Sequence, residues 1–369
     1  MIVERRLSAH LDWSLIAALL ALSLIGLGTI YSVTWDARPG HDTAGPEFWV
    51  QVYALPVGLA ALGLCLLVDY RTLTQRWLWF YVALLISLLY VRFNGHVSGG
   101  AGRWIRIGRI SLQPSEFARM TVALVLAMFY GESRRTAKSI AELAGGAALV
   151  GIPTYLILKQ PDFGTAVTLG TVYLGVIFTA GLRVRWLVTG AILLTLLSPL
   201  MWKYGLKDYQ RSRVVTFLDP EKDARGEGYQ QIQAKVAVGS GGLLGKGFRG
   251  STQGSGGFLP AAHNDFAFSV LAEEHGFVGV LVALGLYLFV IVRSIEAAKL
   301  AKDRVGAYLV VAIISGFAFQ VLYNITMSAG LAPVKGLTLP LMSYGGSSLV
   351  ATLAGFGLIL NVRMRRFTN

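Results

Sequence analysis

AYLVVAIISGFAFQVLYNITM, residues 307–327, is the stretch that decides the fold. It reaches the ~20 residues needed to cross a hydrocarbon core and carries no charge, so its place is a bilayer. Residues 11–33 and 343–362 read the same way, each nearly free of charge. Further apolar runs centre near residues 58, 85, 123, 150, 172, 194 and 280, and the expectation is an all-α polytopic membrane protein of about ten transmembrane helices. Pro56, Pro153 and Pro199 fall inside these runs and read as kinks, since neighbouring helices can satisfy the backbone groups a proline frees. Composition agrees: the mean hydropathy is +0.58, and only 14% of the 369 residues are charged, against ~25% in soluble domains.

Arg and Lys in the short connections set the orientation. They gather at Arg5 and Arg6, at Arg71 and Arg76, at Arg134, Arg135 and Lys138, at Arg183 and Arg185, between Arg293 and Arg304, and at Arg363 to Arg366. The opposite short loops hold only Arg38, Arg103, Arg106, Arg109, Lys159 and Lys335, which places both termini in the cytoplasm. Most of the net charge of +13 falls on these inner loops, where it meets anionic membrane lipid, so nucleic acid is not the expected partner. The first apolar run is too long for a secretory signal and lacks a small-residue cleavage site, so it is expected to remain as the first span. The one cysteine, Cys65, rules out a disulfide framework or a thiolate metal cluster.

The chain reads as a single transmembrane domain over 1–369, interrupted by one long polar segment, 205–264, between the seventh and eighth helices. On the orientation above this loop is extracytoplasmic, and long ordered loops usually bind or cover something. Its glycine-rich run GSGGLLGKGFRG, 239–250, contains a GxGxxG, but no βαβ unit surrounds it, and Gly247 stands where a phosphate-binding loop needs Ser or Thr. These glycines allow close backbone approach, either to a diphosphate or to a neighbouring helix.

Four outward patches carry the chemistry. In 99–119, GGAGRWIRIGRISLQPSEFAR, Pro114 starts a helix that takes Glu116 and Arg119 just inside the span. Ionised groups there mark function by default, with a helix-pinning salt bridge as the alternative. In KQPDFGT, 159–165, Asp162 is explained by an Asx turn or a helix N-cap better than by a cavity-facing carboxylate. In 258–276, FLPAAHNDFAFSVLAEEHG, Asp265 sits where polar loop becomes apolar helix, suited to a partly desolvated general base or to a helix cap. Glu273 and Glu274 follow two turns on, one of them expected to face inward, while His263 and His275 match no zinc spacing. In GLTLPLMSYGGSS, 336–348, hydroxyls and amides at a helix start suit a pyrophosphate or simple close packing.

These patches, in this order, resemble the SEDS family of shape, elongation, division and sporulation proteins over nearly the whole chain. The resemblance is carried by Arg103, Trp104 and Gln113 to Glu116, by QPDFGT at 160–165, and by Tyr209, Gln210, Arg213 and FLDP at 217–220. It continues through 228–247, FLP with His263, Asp265 and Phe266, Glu273 with Glu274, and SYGGSS at 343–348. Thr252 and Gln253 resemble the elongation branch rather than the division branch. Two positions depart from the family pattern: Arg119 replaces the usual Lys, and Asn264 the usual Thr.

The resemblance implies a peptidoglycan glycosyltransferase of the bacterial inner membrane. It would polymerise lipid II, the undecaprenyl-diphosphate-linked disaccharide pentapeptide, beside a class B penicillin-binding protein that crosslinks the product. Asp265 matches the family's essential aspartate and would be the catalytic base. Arg103, Arg119, Arg213 and Lys246 are the candidate diphosphate partners, with Trp104, Glu116, Tyr209, Gln210, Glu273, Ser343 and Ser347 as further substrate contacts. A divalent cation, Mg or Mn, is another candidate for the diphosphate, though no carboxylate cluster demands one. The rivals are a lipid II flippase, which would carry polar residues to both membrane faces, and a scaffold for the crosslinking enzyme, which leaves Glu116, Arg119 and Asp265 unexplained.

Overall fold

The computed structural model describes residues 11–35, 44–98, 101–107, 110–133, 139–182, 184–205, 208–223, 226–255, 257–259 and 262–367. Of the residues used for orientation, Arg5, Arg6, Arg38, Arg109, Arg134, Arg135, Lys138 and Arg183 lie outside the described residues. The chain runs α1 Trp13–Thr34, α2 Pro46–Leu67, α3 Tyr70–Gln75, α4 Trp77–Asn94, β1 His96–Ser98, β2 Ala101–Ile107 and β3 Ile110–Leu112. It continues through α5 Pro114–Gly131, α6 Ile140–Leu158, α7 Phe163–Thr179, α8 Val184–Leu200, α9 Asp208–Leu218, α10 Glu227–Ser240 and α11 Thr252–Ser255. The last elements are α12 Ala267–Lys299, α13 Arg304–Ser328 and α14 Gly346–Met364.

Among the described residues seven helices are long and apolar enough to cross a membrane: α1, α2, α4, α6, α12, α13 and α14. The centres of the remaining apolar runs fall on α5, α7 and α8, of 18, 17 and 17 residues, so every run read from the sequence lies on a helix. Pro56, Pro153 and Pro199 stand inside α2, α6 and α8 as expected of membrane helices. α14 is buried along almost its whole length, packed on α2 and α13, and forms the axis of the molecule.

The end of the bundle where α1 starts and α12 and α14 finish is tied by charge. Asp12 caps α1 through the Leu15 amide and binds Arg293 at 3.0 Å and Arg363 at 2.7 Å. Beside it Asn361 donates to the carbonyls of Cys65, Leu66 and Val68 and accepts from the Tyr70 amide, closing the end of α2 against α14.

The polytopic helical fold expected from the sequence is observed, with two added features. Residues 96–112 form a three-stranded antiparallel sheet, with Trp104 opposite His96 and Ile105 opposite Leu112. The alternation in RWIRI is the strand signal, overlooked beside longer apolar runs. The polar segment 205–264 holds three helices, α9, α10 and α11.

Candidate active site

The site lies at the opposite end of the bundle, where α12 and α14 begin and α13 ends. Three connections bind the segments together. The Tyr344 amide donates to the His263 carbonyl at 2.9 Å, and the two rings meet edge to face at 5.6 Å. Gln51 of α2, fully buried, donates to the Ser343 carbonyl and accepts from the Gly345 amide. Asn324 of α13 donates to the carbonyls of Asp265 and Leu337 at 2.8 and 2.7 Å.

Asp265 is half-buried in the turn before α12. The N-cap of α12 is Phe266, with no side-chain cap bond, so the capping role considered for Asp265 is not taken up. Its carboxylate lies over Gly336, where an added Cβ would stand 3.8 Å from Oδ2 and the backbone has φ +66°. Burial pushes its pKa up to about 6, and the positive charge of Arg103 holds it from rising further. Arg103, on β2, spends two of its donors on the carbonyls of Gln160 and Pro161, at 2.8 and 2.6 Å. Gln160 is itself held by the Leu88 carbonyl, so the guanidinium is fixed to the ends of α4 and α6.

Glu116 and Arg119 form an ion pair on α5, and Arg119 also donates to Gln320 of α13. Both are largely buried, around a cavity of about 30 Å³ lined also by Phe317, Thr352 and Phe356. Gln320 and Asn324 stand one helical turn apart on α13, which therefore links this pair to the Asp265 turn. If the pair acts as a unit, neutralising Glu116 or Arg119 singly will reduce polymer yield more than the swapped Glu116→Arg/Arg119→Glu double variant does. Equal losses in all three, measured as polymer formed from labelled lipid-linked substrate, would mean separate roles.

Other sequence-derived candidates are engaged in structure. Glu273 is wholly buried and accepts from Lys246 Nζ (2.5 Å), Ser251 Oγ (2.5 Å), Thr252 Oγ1 (2.8 Å), Thr252 N (3.0 Å) and Gln253 N (3.2 Å). Lys246 and Glu273, both expected to contact substrate, form a clamp between the glycine-rich segment and α12. Ser343 Oγ accepts from the Leu339 amide within its own turn, while Ser347 joins β3 to α14 through Ser111 and Gln113. Asp162 caps α7 through Thr165, and it also accepts from Ser115 and Gln113. Trp104 is half-buried on β2. Tyr209, Gln210 and Arg213 sit on α9, and their side chains lie outside the described residues.

The glycine-rich run resolves toward the helix-packing alternative. α12 breaks at Gly276 (φ 62°, ψ −161°), where the amides of Phe277 and Val278 lose their α-helical acceptors, the carbonyls of Glu273 and Glu274. Residues 242–247 supply the missing partners. Phe277 and Val278 donate to the carbonyls of Gly242 and Leu243, while Glu273 and Glu274 accept from the amides of Lys246 and Gly247. A Cβ on Gly241 would stand 2.0 Å from the Ala272 carbonyl oxygen, and one on Gly245 2.1 Å from that of Glu274. Residues missed by the sequence reading, Gln51, Gln320 and Asn324, share one signal: a carboxamide inside an otherwise apolar span.

Comparison with known proteins agrees with this geometry. The family model described as cell cycle protein, FTSW_RODA_SPOVE, matches residues 12–367. The peptidoglycan glycosyltransferase MrdB of Escherichia coli K12 is 37% identical over 364 residues, covering 97% of this chain and 94% of the relative. The probable peptidoglycan glycosyltransferase FtsW of Geobacter metallireducens is 35% identical, covering 96% and 95%. A chain from a peptidoglycan synthase complex superposes with a TM-score of 0.83 at 33% identity, covering 97% of this chain and 99% of that one. The rod shape determining protein RodA of Thermus thermophilus follows at 0.72 and 30%, covering 97% and 98%. Fold and relatives define the class, the polytopic helical peptidoglycan glycosyltransferases of the inner membrane. Within it, the chain belongs to the SEDS family.

Proposed function

We propose that this chain polymerises lipid II into glycan strands during cell elongation, on the extracytoplasmic side of the membrane and together with a class B penicillin-binding protein, with Asp265 as its general base. The observation that carries the reading is the placement of Asp265: a half-buried carboxylate over Gly336, free of capping duty and within the field of Arg103, which the Gln160 and Pro161 carbonyls hold in place. The acceptor's sugar hydroxyl attacks the anomeric carbon of the donor as its proton passes to Asp265. The bond to the lipid diphosphate breaks, the electron pair leaves with that diphosphate, and the configuration inverts. Arg103 lies within electrostatic reach of the carboxylate and is the best-placed cation for the departing charge. No three of His, Cys, Asp and Glu converge among the described residues, so a divalent cation here would draw its other ligands from the diphosphate. MrdB of E. coli and the rod shape determining RodA, with Thr252 and Gln253, favour elongation.

The test is incubation of the purified protein, alone and with its crosslinking partner, with labelled lipid II, followed by separation of polymer from monomer. Absence of polymer under both conditions would sink the enzyme reading. A base with a pKa of about 6 is protonated and idle below that pH, so the rate is expected to rise through pH 6 and level off above 7. A flat profile from pH 5 to 8 would deny Asp265 that role.

A further inference from the structure

We infer that Asn324 is a positioning residue for Asp265: one buried carboxamide holds the two backbone segments between which the carboxylate is set. The inference rests on the reading of Asp265 as the base. Asn324 has no exposed surface and lies in the last third of α13. Its Nδ2 donates to the carbonyl of Asp265 at 2.8 Å and to that of Leu337 at 2.7 Å. Both partners are acceptors, so the side-chain orientation is fixed, because a carbonyl oxygen turned the same way would bond neither.

Besides Asn324, the Tyr344 amide joins the two segments at the His263 carbonyl, but Asn324 alone bonds the backbone of Asp265 itself among the described hydrogen bonds. The turn at 262–266 precedes α12 without a side-chain cap, and 329–345 connects α13 to α14 without regular structure in 332–339. Asp265 Oδ2 lies over Gly336, the neighbour of Leu337, whose positive φ leaves that side open for the carboxylate. The amide thus sets the height of the carboxylate above this floor through the main chain, bonding the Asp265 carbonyl and not its carboxylate. Gln320, one turn earlier, binds Arg119, so the same face of α13 fixes both charged groups relative to each other.

A base displaced by about 1 Å can cost on the order of 100-fold in rate without a matching loss of binding. The experiment measures lipid II polymerisation by the full chain in complex with its partner for Asn324→Ala, Asn324→Ser and Asp265→Ala. Asn324→Ala is expected to lower kcat roughly 10- to 100-fold with KM within about threefold of wild type. Asn324→Ser keeps one donor and should recover part of the loss, a rescue that mere space-filling would not give. Should Asn324→Ala fail to fold, Asn324→Ser decides alone by the same split. A kcat within twofold of wild type in a folded variant, or a change confined to KM, overturns the inference. Asp265→Ala separates the two readings. If it retains activity, the base assignment fails, whereas an inactive Asp265→Ala beside an unaffected Asn324→Ala fails the positioning role only.

Discussion

Replacing Asp265 by Asn or Ala is expected to lower polymerisation by about 10²- to 10⁴-fold, the range that loss of a positioned general base produces. Neither substitution should disturb the fold. The carboxylate caps no helix, while its backbone carbonyl, the part Asn324 holds, is unchanged by either variant. Folded protein at wild-type yield, binding its partner normally and making no polymer, is the result that fits. Near-normal polymer from Asp265→Ala, in preparations free of other polymerases, would place the sugar-transfer chemistry elsewhere and return the scaffold reading to favour.

The second large effect concerns stability. Glu273→Ala removes the acceptor for five donors, leaving the Ser251 hydroxyl and the Thr252 and Gln253 amides without it and Lys246 with Thr252 Oγ1 alone. Leaving a buried donor without its acceptor costs about 1–3 kcal/mol, and the buried donor here is Ser251; the Lys246 ammonium, open to solvent, adds little. The expected readouts are a lowered thermal midpoint in detergent and proteolysis that begins between residues 246 and 253. Glu273→Gln keeps acceptor oxygen at the same place and should lose less. A wild-type midpoint for Glu273→Ala would show that the clamp contributes nothing.

The membrane helices were legible because each satisfies its own backbone groups, so an apolar run declares itself without reference to any other part of the chain. Asp162 was legible for the same reason, since a cap acts on residues three positions away. Asp265 stood out by its position at the edge of a span. The clamp and the helix break were not legible, because they depend on pairing across the chain. Lys246 meets Glu273 across 27 residues, and Ser347 meets Gln113 across 234. No local period records such a meeting, and a glycine needed for contact with a helix reads the same as one needed for contact with a phosphate.

The break at Gly276 has a consequence for how this region moves. In an unbroken helix the donors of one turn are answered by the turn before, so a neighbouring loop can peel away and leave the helix whole. Here the answering groups belong to residues 242–247, and peeling that segment off would strand the Phe277 and Val278 amides and the Glu273 and Glu274 carbonyls together. Loop and helix therefore open as one cooperative unit or stay closed as one. Whatever presses on the glycine-rich segment is transmitted without slack to the start of α12, and Asp265 is carried along like the far end of a lever.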